Sequence, residues 1–495
     1  MRIAVVLLLW APALLADRVE QGAAQAAASG LLAGVARADI SPPVGTPQMN
    51  WGAQTHVTAE AIDPAGMIAT ALVVSDGRQK FAMVDVDALF VSPLRDVAER
   101  ASKLTGIPAD HIRLGATHTH AGPLLTGEKG PVGFDLDAYR PAYDRHWRTV
   151  ADKVVGIIVE ANSRLEPAHL GTGKGAGTIN INRRMRPRDG APPAVGRNPD
   201  GLVDRDLVVA RIDNARGEPL AVIVNFQCHG TVLAWDNKTI SPDWPGMMRR
   251  EVENALPGAK SLFFQGAAGN QGPIEGFTGD LGVAHRLGRI LGHEAAAIAL
   301  GIETVKREPK FEGFVESTAY IAKQYWRTAG PRDGSIAFAA KVIEVPSRRY
   351  SSADVASMEK RLRDAEAKAT AVDAGDAWAK HAAEARVRRF ADLLAKWKKP
   401  AGPPVRVRLQ ALRIGELAMV AMPGEPFAEI GQAVKKASPF ANTMFCGYSS
   451  GEGGEYMPVA EEYVHEGYEV DRTPYDLGAA AIVVREASAL VTRLR

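Results

Sequence analysis

The stretch Leu114-Gly115-Ala116-Thr117-His118-Thr119-His120-Ala121-Gly122-Pro123 organises the reading of this chain. The preceding run, Ile112-Arg113-Leu114, predicts a strand. If that strand continues, His118 and His120 point to one face, about 6–7 Å apart along the backbone. At that spacing one imidazole can grip a metal while the other handles a proton or a developing charge. Ala121-Gly122-Pro123 then turns the chain and leaves the pair at an open rim. Two solvated histidines at a strand end are the alternative; small residues on both sides favour chemistry.

Working outward, residues 34–40 alternate like an opening strand, and 71–75 and 80–87 read as strands joined at Asp76-Gly77. Residues 93–103 and 143–161 predict helices. Residues 207–212 and 219–229 predict a hairpin closed by 213–218 and ending in Cys228-His229, whose side chains face opposite ways. Strand 261–265 runs into a Gly-rich loop, 266–273, with no lysine after it, so it is not read as a phosphate cradle. A helix over 280–300 carries His285 and His293 as packing or surface residues.

Residues 351–398 place Ala, Glu, Lys and Arg at helical spacing, interrupted at 374–376. That predicts a helical hairpin, a solvated insertion or lid, and its His381 is given no role. Strands are expected at 405–412, 417–422 and 444–448, with helices from 427 to about 436 and from 477. Glu425 falls at a strand-to-helix turn, where active-site side chains often emerge. Hairpins and crossovers alternate irregularly, which predicts an α+β fold: mixed β-sheets flanked by helices in one large elaborated domain.

Of 495 residues, 46% are apolar and 23% charged, as in ordinary globular proteins. A net charge of +2 without a basic, aromatic-interleaved run predicts no nucleic-acid binding and no attraction to anionic membranes through a global field. Residues 1–26 begin with Met1-Arg2 and a brief apolar core, too short to span a bilayer, and read as a secretory signal. Small residues suit cleavage at Ala16 or around Ala24-Gln25-Ala26. A secreted or periplasmic protein with no transmembrane segment in the mature chain is expected. Its two cysteines, Cys228 and Cys446, leave a bridge and buried thiols equally open.

Zinc hydrolases hold the ion with three or four N, O or S ligands and leave a place for water. Among eleven histidines, His118, His120 and His229 lie at strand ends beside glycine, and His56 lies in a loop. Two or three of these with Glu425 make a competent site. A rival motif, Gly447-Tyr448-Ser449-Ser450-Gly451, fits a serine nucleophile elbow. Asp471 and Asp476 are the aspartates that follow it, His465 precedes both, and too little chain remains to finish such a sheet.

Six segments in order carry a resemblance: Gly34-Val-Ala-Arg-Ala-Asp-Ile40, Ala116-Thr-His-Thr-His-Ala-Gly-Pro123, Asn180-Ile-Asn-Arg183, Asn225-Phe-Gln-Cys-His-Gly-Thr231, Pro423-Gly-Glu425 and Tyr456-Met-Pro-Val-Ala-Glu-Glu-Tyr463. From residue 32 nearly to the end, the chain resembles the catalytic N-terminal domain of the neutral/alkaline non-lysosomal ceramidase family. The resemblance implies one zinc held by His118, His229, Glu425 and the phenol of Tyr456, and a water that attacks an amide carbonyl. It places His120, Arg183 and Tyr468 against the substrate or the developing oxyanion.

Two departures bear on substrate. Gly272 stands where the family carries an active-site serine, which touches ceramide more than zinc hydrolysis. The family's C-terminal β-sandwich domain is not expected here, and the 351–398 hairpin is a candidate cover for the pocket instead. The function expected is hydrolysis of a small-molecule or lipid N-acyl amide. Action on another amide or an ester, or a binding protein that has lost turnover, are the alternatives, since one water and one oxyanion site serve amides and esters alike.

Overall fold

The computed structural model describes residues 30–48, 50–124, 137–186, 194–373 and 375–495. The segment read as a secretory signal lies outside them. No helix among the described residues is long and apolar enough to cross a membrane.

Eight strands form the larger sheet, in spatial order Lys260–Gln265, Pro219–Phe226, Asp206–Asn214, Glu166–Ala176, Leu32–Asp39, Ile68–Ser75, Lys80–Val86 and Ile112–Ala116. The smaller sheet orders Ile336–Val345, Val405–Ile414, Leu417–Ala421 and Asn442–Cys446. Strand periodicity explains how they stack. In Ile68–Ser75, Ala69, Ala71 and Val73 face one core, while Leu72 and Val74 face the other. That second core is shared between the sheets, where Leu72 and Ile223 meet Leu412, Met419 and Met444. Helices Val97–Thr105 and Arg140–Ser163 with Trp244–Ala255 and Leu281–Gly301 cover the outer face of the larger sheet. Helices Ala428–Ala437 and Ala479–Thr492 cover the smaller one. The result is an α+β fold of four layers, helix–sheet–sheet–helix, with no barrel.

Three parallel pairings decide where chemistry can sit: Lys80–Val86 with Ile112–Ala116, Pro219–Phe226 with Lys260–Gln265, and Leu417–Ala421 with Asn442–Cys446. Their carboxyl ends open into loops carrying His118, His229 and Glu425, the usual position for a ligand crevice in such sheets. Tyr448 ties the two sheets together at that end, accepting from the Ala116 N–H and donating its own N–H to Gly424 O.

The 351–398 segment forms two helices, Ser352–Ala371 and Ala377–Trp397, opened by a capping box at Ser351 and Asp354. They share a small core of Met358, Ala365, Phe390, Leu393 and Trp397, separate from the sheet cores. An exposed two-stranded ribbon, Lys306–Val315 with Ile321–Gly330, escaped the sequence reading because its aromatic residues alternate with charges and face solvent. Cys228 and Cys446 are buried free thiols.

Candidate metal centre

The strand leading to the histidine pair stops at Ala116, so the expected two-residue alternation does not place the imidazoles. His118 instead adopts a left-handed backbone, φ 64°, a conformation usually held only where surroundings over-determine it. Its N–H donates to Ala88 O at 2.9 Å and its Nδ1 to Leu89 O at 2.8 Å, which pull the chain off the sheet edge. Of the pair, only His120 is part-exposed and faces the cavity. His118 is 1% exposed, and the His120 N–H is tied to Gly230 O at 3.1 Å.

His229 follows strand Pro219–Phe226, with Nδ1 donating to Ala268 O at 2.7 Å. Glu425 opens a two-residue strand that pairs in parallel with Tyr456–Met457, setting Glu425 directly beside Tyr456. Glycine is required where these loops touch. A Cβ on Gly230 would lie 2.9 Å from His118 O, and one on Gly269 2.4 Å from Glu425 O.

The seven side chains that the family resemblance implies converge. Nε2 of His229 lies 3.1 Å and Nε2 of His118 lies 3.4 Å from Oε2 of Glu425, and Nε2 of His120 lies 3.3 Å from that of His118. Arg183 points Nη2 at the Tyr456 hydroxyl, 3.1 Å away, and Tyr456 and Tyr468 pack edge to face at 5.7 Å. His56 stays apart, held by Gln48 and Gln54. Ser449 of the elbow motif is buried, with its hydroxyl donating to Gly447 O, so it is no nucleophile.

The electrostatics ask for a cation. A carbonyl can only accept, so Nδ1 of His118 and of His229 each carries the proton, leaving bare lone pairs at both Nε2 atoms. Burial, reinforced by the Arg183 charge, lowers the His229 pKa to about 3. Burial alone raises the Glu425 carboxyl, and it falls well below the usual carboxylate range only when positive charge or an N–H stands where His118 and His229 face it; with both protons on Nδ1, that charge must come from a bound cation. Two lone pairs and a carboxylate therefore meet with no proton between them. Their spacings match the edges of a tetrahedron built on metal–ligand bonds of about 2.0–2.1 Å, roughly 3.3 Å. His118, His120 and His229 form the metal-capable group, with donor atoms within 4.8 Å of one another.

His120 differs from its neighbours. Burial, then His118 and His229, push its pKa well below the ordinary value, and its buried Nδ1 has no hydrogen-bond partner. Tyr456 is kept a protonated phenol by burial and by Glu425 beside it. Arg183 stays charged despite burial because Tyr456 and Glu469 face it.

Sequence reasoning missed three contributors. Glu469 accepts from Arg183 at 3.1 Å and from Arg184 at 2.8 Å, locking both guanidinium groups. Tyr448 packs its ring 4.4 Å from that of His118 and donates to Glu425. His381, given no role, lines the same cavity of about 1080 Å³ as His120, Arg183 and Tyr456. Only the adjacency of Glu469 to Tyr468 was a usable signal in the sequence.

The profile described as neutral/alkaline non-lysosomal ceramidase, N-terminal, matches residues 31–279. Neutral ceramidase A of Dictyostelium discoideum is 32% identical over 154 residues, 31% of this chain and 21% of that protein. The neutral ceramidase of Pseudomonas aeruginosa is 28% identical over 205 residues, 40% of this chain and 30% of that protein. The matched segments thus span less than a third of these relatives. The crystal structure of the Pseudomonas aeruginosa neutral ceramidase shares the fold, with a TM-score of 0.60 at 20% identity over 94% of this chain and 74% of that one. The match to the family profile includes His118, His120, Arg183 and His229, the side chains on which the centre is built. This chain belongs to the neutral/alkaline non-lysosomal ceramidase family.

Proposed function

We propose that this protein is a zinc-dependent, ceramidase-like hydrolase that splits N-acyl amides with water into a carboxylic acid and an amine. The observation that carries the reading is the meeting of His118 Nε2, His229 Nε2 and the ionised Glu425 at 3.1–3.4 Å with no proton between them. His118, His229, Glu425 and the Tyr456 phenol would hold zinc, which would supply Lewis acidity and lower the pKa of water there to about 7.

The protein's own groups do the rest. Arg183, fixed by Glu469, presents permanent positive charge to the oxyanion that develops on the amide carbonyl. His120, neutral and poised beside His118, takes a proton at one ring nitrogen and returns it to the leaving amine. Tyr468, packed on Tyr456, orients the substrate by hydrogen bonding. Trp51, whose ring lies 4.7 Å from that of His120, keeps bulk water off the reacting groups.

The relatives named neutral ceramidases make N-acylsphingosine the first substrate to test. Gly272 favours a second reading, hydrolysis of a different amide or an ester. The space beside Gly272 holds Arg183, whose Cβ would sit 3.3 Å from an added Cβ, and no hydroxyl is supplied there. The apolar start of the sequence supports export from the cytoplasm.

The test is metal analysis of the purified protein together with N-acylsphingosine hydrolysis before chelation, after it, and after zinc is restored. Stoichiometric zinc and activity that follows it are expected. Activity indifferent to chelation would overturn the reading.

A further inference from the structure

The cavity that reaches His120, Arg183 and Tyr456 has two unlike walls. One is aromatic: Trp51 lies 5.7 Å from Phe277 and 6.1 Å from Trp235, ring centre to ring centre. The other, beneath helix Ala377–Trp397, is cationic. Seven Lys and Arg side chains line the cavity against three Asp and Glu.

Two of those acids are already engaged, Asp471 by Arg361 and Glu455 by Arg472. Among the described residues, Arg348, Arg388, Lys396 and Lys399 make no ion pair. Arg348, Arg388 and Arg389 each also bury an N–H that meets no acceptor. Arg389 has Asp471 beside it at 3.9 Å, but Arg348 and Arg388 are held part-buried without counter-charge, which is costly, and a bound anion offsets that cost through charge-assisted hydrogen bonds. The cationic wall is close to the chemistry. Arg389 lies 4.2 Å over the ring of Tyr468, which packs on Tyr456.

We infer that the amide substrate carries an oxyanion, a carboxylate or a phosphate, seated beneath the helical hairpin against Arg348, Arg388 and Lys396, with its apolar chain against Trp51, Trp235 and Phe277. This rests on the amide-hydrolase reading and narrows its substrate to an acidic N-acyl amide. Water adds to the carbonyl carbon, the C–N bond breaks, and a proton passes to nitrogen, so the products are a fatty acid and an amine that keeps the anionic group.

The test compares N-dodecanoylglycine, N-dodecanoyl-phosphoethanolamine and the neutral N-dodecanoylglycinamide, all with the full-length protein loaded with zinc. One anionic substrate should exceed the glycinamide by about tenfold or more in kcat/KM, as a charge-assisted contact predicts, and the better of the two identifies the group. Arg388→Ala should narrow that ratio, and so should Lys396→Ala, an exposed change that the fold tolerates. A ratio near one, or a ratio unmoved by both variants, overturns the inference while hydrolysis of all three leaves the hydrolase reading intact.

Binding of the same three compounds, followed by tryptophan fluorescence, separates the two claims if nothing is hydrolysed. Tighter binding of an anionic compound, weakened by Arg388→Ala, sustains the anion seat and leaves the hydrolase reading to the N-acylsphingosine test. Equal binding, or none, overturns the inference.

Discussion

The floor of the cavity and its roof are built on opposite principles. The floor, His118, His229 and Glu425, is buried between the ends of two sheets, and each of its imidazoles has its Nδ1 fixed by a backbone carbonyl. The roof, helices Ser352–Ala371 and Ala377–Trp397, has a five-residue core of its own. Charges such as the Arg361–Asp471 pair and the Arg389–Tyr468 contact hold it to the rest. Chemistry that needs sub-ångström placement sits where the fold over-determines geometry. Selectivity sits on the element that can change without unmaking the sheets.

The largest expected effect breaks the floor. His118→Ala removes a proposed zinc ligand and should abolish bound metal, with activity falling by about 10³-fold or more, read by elemental analysis and kcat/KM. His120→Ala should divide the cluster differently. Metal content is largely spared while activity falls by roughly 10²–10⁴-fold, the size of a lost general acid–base. Loss of zinc as complete as in His118→Ala would make His120 a ligand.

Glu469→Gln tests the lock beside the floor, in helix Tyr468–Arg472. It leaves Arg183 and Arg184 buried without their shared carboxylate, and denaturant unfolding should show a loss of about 3–5 kcal/mol.

Asp243 supports the floor from beneath. It caps helix Trp244–Ala255 through the Trp244 N–H, and the Trp244 indole N–H donates to His229 O at 3.0 Å. Burial raises its carboxyl from the ordinary 3.8 to about 7. The folded protein therefore holds a proton that the unfolded chain has released between about pH 4 and 7. Stability should fall as pH rises through that window, by up to about 1.4 kcal/mol per unit, and level off above it. Asp243→Asn, which still accepts from the backbone, should flatten that slope in urea titrations at several pH values.

The smallest effect belongs to the roof. Arg361→Ala deprives buried Asp471 of its main partner and should cost about 1–3 kcal/mol. Hydrogen exchange should quicken in residues 352–397 and stay unchanged in the sheet strands. Equal acceleration in both regions would erase the distinction between them.

Local pattern settled much of this protein. Strand alternation, helix spacing and turn residues marked many of the elements but not strands Glu166–Ala176, Asn180–Met185 and Ile336–Val345 or helix Trp244–Ala255, and the small residues around His118, His120 and His229 marked the site. The loops beside them had to be glycine-rich because backbones cross there within contact distance, and that too is written in the sequence. What only the tertiary structure decided is how those imidazoles are aimed. His118 leaves the strand in a left-handed turn dictated by carbonyls of residues 88 and 89, a non-local constraint that no two-residue period can express. The carboxylate of Glu425, the lock supplied by Glu469 and the cationic roof come from the second half of the chain. They meet the histidines only because two separately hydrogen-bonded sheets end at the same crevice, and burial there turns ordinary side chains into a charge balance that a cation completes.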